Sequence, residues 1–207
     1  VDWSNIFPIL FALSLAIGLP IALWKLRKGG QKKVEELYQH LQGIGVKASA
    51  LEKGGGEERK GQKRSWGHRL VGTIKLTDYN INSINVIGVA SQYGVNYYLD
   101  FLVNRPSFMG GSKKKKSKMS TKKSSLFKGK VIGIEWKGDD FLVQKLNFDY
   151  GLKDKLLQAD LSALKGGISI YPEPKHQYAR VRTGYFLPTP DLFEAIDIIA
   201  NHIKSWY

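Results

Sequence analysis

Arg180 and Arg182 stand two residues apart in the run Tyr178-Ala179-Arg180-Val181-Arg182-Thr183, with His176 just before it. Alternation of this kind places both guanidiniums on one face of a strand and Ala179, Val181 and Thr183 on the other. Two planar forks that are always charged can grip a phosphate or a carboxylate between them. His176, Arg180 and Arg182 are therefore a candidate anion site. The plainer expectation is that the two arginines pair with acids of their own sheet.

A denser group of charges lies upstream. Lys113, Lys114, Lys115, Lys116, Lys118, Lys122 and Lys123 are interleaved with Ser112, Ser117, Ser120, Thr121, Ser124 and Ser125, with no acid between residues 112 and 130. A single-sign run of this kind reads as a solvated, self-repelling loop. Near an anionic bilayer each such lysine contributes about 1 kcal/mol of attraction. Together with Lys25, Arg27 and Lys28, these lysines are the candidate contacts for anionic lipid or an acidic protein surface. Nucleic acid is the less favoured partner, because the run carries no interleaved aromatic residues on which bases could stack.

Catalytic patterns are missing. The four histidines, His40, His68, His176 and His202, form no HExxH or other paired spacing. No GxSxG elbow, GxGxxG fingerprint or Walker sequence occurs. The absence of cysteine removes thiolate chemistry and Cys-ligated metals. Asp139 and Asp140 sit side by side at a chain reversal and read as a helix cap. No catalytic residue, cofactor or metal is assigned. An enzyme whose site is assembled from distant residues, centred on Arg180 and Arg182, is kept as a third reading.

The distribution of charge decides what surrounds these groups. The chain has 207 residues and a formal charge of +14. Residues 25–33, 53–69 and 112–130 together carry +18, which leaves −4 on everything else. The folded part is mildly acidic, and the basicity belongs to three polar segments.

Residues Ile6 to Trp24 contain no charge, and Ser14 is their only polar side chain. Nineteen helical residues span roughly 28 Å, close to the hydrocarbon thickness of a bilayer. Trp3 and Trp24 flank the stretch, where interfacial rings are favoured. The N-terminal flank has Asp2 and no Lys or Arg, unlike a cleaved signal peptide. The basic residues after Trp24 place the short N-terminus outside and the rest of the chain in the cytoplasm. The expectation is a single-pass cell-membrane protein: residues 1–30 an anchor with a basic flank, residues 31–207 a cytoplasmic domain. Oligomeric state is not legible.

The remaining elements follow from period and punctuation. A helix is expected over about 31–42, from Val34, Leu37, Tyr38 and Leu41, with Gly29-Gly30 breaking it from the anchor. Strands are expected from Val46 to Leu51, from His68 to Asn104 as an antiparallel meander, and from Val131 to Lys137. In the meander, Val95, Tyr97, Leu99, Phe101 and Val103 share one face; Asp100 is expected on a solvated face opposite. Basic loops are expected at 53–67 and 108–125. One or two helices follow between Asp140 and Leu164, then strands at Ile168–Tyr171 and Gln177–Phe186. Thr189 caps a final helix that opens with Pro190. His40 and His202 fall on the polar sides of their helices, as surface residues. The fold class is α+β: a transmembrane helix, then a mostly antiparallel sheet with helices packed on it.

Overall fold

The structure is a computed structural model that describes residues 29–51, 68–91, 94–104, 114–124, 131–159, 161, 164 and 167–205. Its elements are α1 (residues 29–43), β1 (Ala48–Leu51), β2 (His68–Leu76), β3 (Ser83–Ser91), β4 (Gly94–Asn104), β5 (Ser117–Lys123) and β6 (Val131–Lys137). After these come α2 (Asp140–Phe148), α3 (Tyr150–Gln158), β7 (Ser169–Glu173), a 3-10 turn at Pro174–His176, β8 (Tyr178–Gly184) and α4 (Pro190–Lys204). The eight strands form one antiparallel sheet in the order β1-β2-β3-β4-β8-β7-β5-β6. The α+β expectation therefore holds, with four helices packed on the sheet. The expected membrane helix, Lys25, Arg27, Lys28, Lys113 and the 53–67 segment lie outside the described residues. Among the described residues no helix is long and apolar enough to cross a membrane.

One face of the sheet carries the core. Ile74 of β2, Ile84 and Val86 of β3, Leu99, Phe101 and Val103 of β4, and Ala179 and Val181 of β8 are buried there, all in register. They join Leu37 and Leu41 of α1 and the apolar stripe of α4, which buries Leu192, Phe193, Ile196, Ile199 and Ile203. The Thr189 hydroxyl accepts from the Leu192 N–H at 3.3 Å and Pro190 opens the helix, as capping chemistry requires. From the same helix, Asp197 accepts from the backbone N–H of Asn80 at 2.7 Å and of Ile81 at 3.1 Å. That carboxylate fastens the β2–β3 turn.

Gly29 and Gly30 are the first described residues of α1 and are helical, and the junction with residues 1–28 lies outside the described residues. A Cβ on Gly30 would lie 2.3 Å from a Val71 methyl, and one on Gly72 would lie 2.8 Å from a Val34 methyl. Glycine is needed at both because α1 lies almost on the β2 backbone. The far end of α1 closes as a Schellman motif, with Val46 N–H bonded to Leu41 O and Gly45 N–H to Gln42 O. The positive φ of Gly45, 81°, is the conformation that this motif asks for.

The largest departure from the sequence reading is β5. Residues 117–123 form a strand, where a loop was expected. Ser117 and Met119 are buried and alternate with exposed Lys118 and Ser120, so a period of two is present beneath the lysines. The start of the strand is clamped. The Asp139 N–H donates to the Ser117 hydroxyl at 3.1 Å, and the Asp139 carboxylate accepts from the Lys115 N–H at 3.2 Å while capping α2. Gly138, at φ 141°, lets the backbones of Lys116 and Ser117 approach so closely that a Cβ would lie 2.2 Å from Lys116 O.

β6 forms one edge of the sheet and is blunted in two ways. The Asn147 side chain accepts from Trp136 N–H at 2.9 Å and donates to Trp136 O at 3.0 Å, as a neighbouring strand would. The register also slips between Lys122 and Lys123, a bulge that spoils the edge as a template.

Candidate anion-contact surface

The sheet face away from the core holds members of both groups of charged residues singled out in the sequence. Strand alternation and register place Asp100 (β4), Arg180 and Arg182 (β8), Tyr171 and Glu173 (β7), Lys118 and Lys122 (β5), and Glu135 and Lys137 (β6) on it.

The arginine pair is already occupied. Asp100 and Arg182 are register partners, and Arg182 donates to Asp100 twice, from Nε at 2.6 Å and from Nη2 at 2.7 Å. Arg180 bridges Asp100, at 3.4 Å, and Glu173. Asp100 is fully buried, which corrects the expectation of a solvated position. Burial works against the Arg182 charge, but the Asp100 carboxylate outweighs it and holds the guanidinium's pKa above its ordinary value. Two arginines and two carboxylates sum to zero, so this group has little left with which to attract an anion. His176 makes no hydrogen bond or ion pair with this group among the described residues; its imidazole stacks on Tyr178 at 6.0 Å in the 3-10 turn. Burial, and then the Glu173 charge, push the Tyr178 phenol up to about 12.

Tyr171 binds the two groups together. Lys116 Nζ lies 4.5 Å from its ring centroid, and the guanidiniums of Arg180 and Arg182 lie 5.2 and 5.7 Å away. Cations at such distances are held by the ring quadrupole.

The lysine strand differs from the arginine group. Lys118 and Lys137 are register partners, like charges set directly opposite each other. Glu135 is shared loosely between Lys137 at 3.6 Å and Lys122 at 4.0 Å. Lys118 makes no ion pair among the described residues. Of the candidate lysines, Lys114, Lys115 and Lys116 precede β5, and Lys116 reaches the face over Tyr171. Lys123 pairs with Val131 past the bulge.

Two of the other histidines, His40 and His202, have structural partners. His40 Nε2 meets Pro188 O at 2.8 Å, and His202 Nε2 meets the Asp149 carboxylate at 2.7 Å. Neither is a loose surface residue. Burial would raise the pKa of Asp149, but the Leu152 N–H and His202 hold it below its usual value. Among the described residues no group of three His, Asp or Glu could hold a metal ion.

The joint where α1 meets the sheet is also defined. Tyr185 OH donates to Lys33 O at 2.8 Å, and its ring packs edge-on to Tyr97 at 6.5 Å. Gly29 lies against the Tyr97 hydroxyl. The registers run Lys123 of β5 and His68 of β2 to this same end of the sheet.

No family model, curated protein or solved structure matches this chain.

Proposed function

We propose that this protein is a single-pass membrane-anchored binding module. Residues 6–24 cross the bilayer, and the α+β domain stands on the cytoplasmic side against an anionic lipid surface. The reading is carried by the lysine strand: Lys118, Lys122 and Lys123 are exposed on an ordered, clamped β5 rather than on a loop. Lysines on a fixed strand lose little backbone freedom on contact, so more of their attraction to the leaflet remains. The start of the described chain, at residue 29, lies at the same end of the sheet as Lys123, which supports placing the tether and the lysines on a common surface.

Flotation of the full chain with vesicles tests the reading. The protein floats with neutral phosphatidylcholine vesicles through residues 6–24 and resists extraction at alkaline pH. A chain that stays at the bottom of the gradient, or that alkali releases, contradicts the anchor.

A further inference from the structure

We infer that Lys118, Lys137 and Lys122 form a contact strip for the phosphate-bearing headgroups of an anionic leaflet, with the cross-strand Lys118–Lys137 pair at its centre. This rests on the membrane reading above and names the part of the domain that touches lipid.

The motivating feature is a pairing that folding alone does not favour. Like charges directly opposite on one sheet face destabilise it, whereas an acid at either position would be favourable. Glu135 lies next to the pair but is divided between Lys122 and Lys137, and Lys118 has no carboxylate among the described residues. An external anion between the two ammonium groups relieves the repulsion. The neighbouring strands sharpen the strip's limits. Arg180 and Arg182 are neutralised by Asp100 and Glu173, so they add no net charge to the strip on β5 and β6.

The chemistry favours headgroups over single-stranded nucleic acid. A base-binding sheet needs aromatic faces open for stacking. Tyr171, on neighbouring β7, already has Lys116, Arg180 and Arg182 against it. Lysines without stacking platforms suit a surface of phosphates that asks for charge and not for base recognition.

The test uses the full chain in nanodiscs of phosphatidylcholine alone or with one third phosphatidylserine. Amine-reactive footprinting reads each lysine. Lys118, Lys122 and Lys137 lose reactivity severalfold in the serine-containing discs only, while Lys204 on α4 reacts equally in both. Lys118→Glu provides an independent readout. It places an acid opposite Lys137, so the melting temperature rises by roughly 1–3 °C, while protection of Lys122 and Lys137 is lost. A variant that melts lower overturns the argument from repulsion. Equal lysine reactivity in the two discs, with the chain still embedded, overturns the strip but leaves the anchor standing. Protection of the same lysines by an added oligonucleotide in neutral discs, and none by phosphatidylserine, assigns the strip to nucleic acid and also overturns it. A chain that never enters the discs fails the membrane reading itself.

Discussion

Asp100 and Arg182 face each other across the β4–β8 register, joined by two hydrogen bonds of 2.6 and 2.7 Å, with the carboxylate wholly buried. The pair lies where two central strands meet, so its loss strikes the middle of the sheet. Asp100→Asn leaves two guanidiniums with one remaining carboxylate, Glu173. Breaking a buried pair from one side costs about 3 kcal/mol, the lower end of the usual range because both arginines keep some contact with water. Urea denaturation of Asp100→Asn measures it. The double change Asp100→Leu with Arg182→Met recovers most of the loss, since no charge is left stranded.

Close packing of α1 gives a second prediction. Gly72→Ala pushes a methyl to within 2.8 Å of Val34, on a helix also tied to the domain by the Tyr185 OH bond to Lys33 O. Overpacking of this kind costs about 1–3 kcal/mol. Val34→Ala in the same chain removes the obstructing methyl, so the double variant unfolds at a higher urea concentration than Gly72→Ala alone.

The β6 edge supplies a third. Asn147→Ala strips the partners from both the N–H and the C=O of Trp136. The expected loss is about 1–3 kcal/mol, and amide exchange at Trp136 accelerates. The exposed edge also becomes a template for another strand, so the variant aggregates more readily on heating.

Alkaline pH gives a fourth. Burial and Glu173 hold the Tyr178 proton in the folded state up to about 12, whereas the unfolded chain releases it near 10. Between these values the unfolded state binds fewer protons, so stability falls as pH rises from about 10 to 12. Tyr178→Phe removes this share, and its stability falls less steeply over the same interval. Phenolate absorbance of the native protein shows a late-ionising group that the variant lacks.

The fold was legible in the sequence wherever local chemistry decided it. Thr189 and Pro190 marked the start of α4, Asp139 the cap of α2, and the alternation from Val95 to Val103 the buried face of β4. β5 was hidden because its lysines dominate the composition, while its order comes from Asp139 and Gly138, some twenty residues downstream. Asp100 was misplaced for a similar reason: its partner lies 82 residues away on β8, and nothing local announces that strand order. The arginine alternation was read correctly as a shared face, but the carboxylates that neutralise it come from two other strands. Gly30 has a further reason to be glycine that the sequence does not show, its close contact with Val71.

A depth measurement reads whether the lysine face of β5 and β6 lies against an anionic leaflet. The chain has no cysteine, so Ser120→Cys gives a single labelling position between Lys118 and Lys122 on that face, and Asn201→Cys gives one on exposed α4. Each full-length variant carries an environment-sensitive fluorophore in nanodiscs containing headgroup-labelled quencher lipids, with or without one third phosphatidylserine. Strong quenching is expected at position 120 in the anionic discs, with weak quenching there in neutral discs and weak quenching at position 201 in both. Equal quenching at the two positions in the anionic discs contradicts this placement of the face.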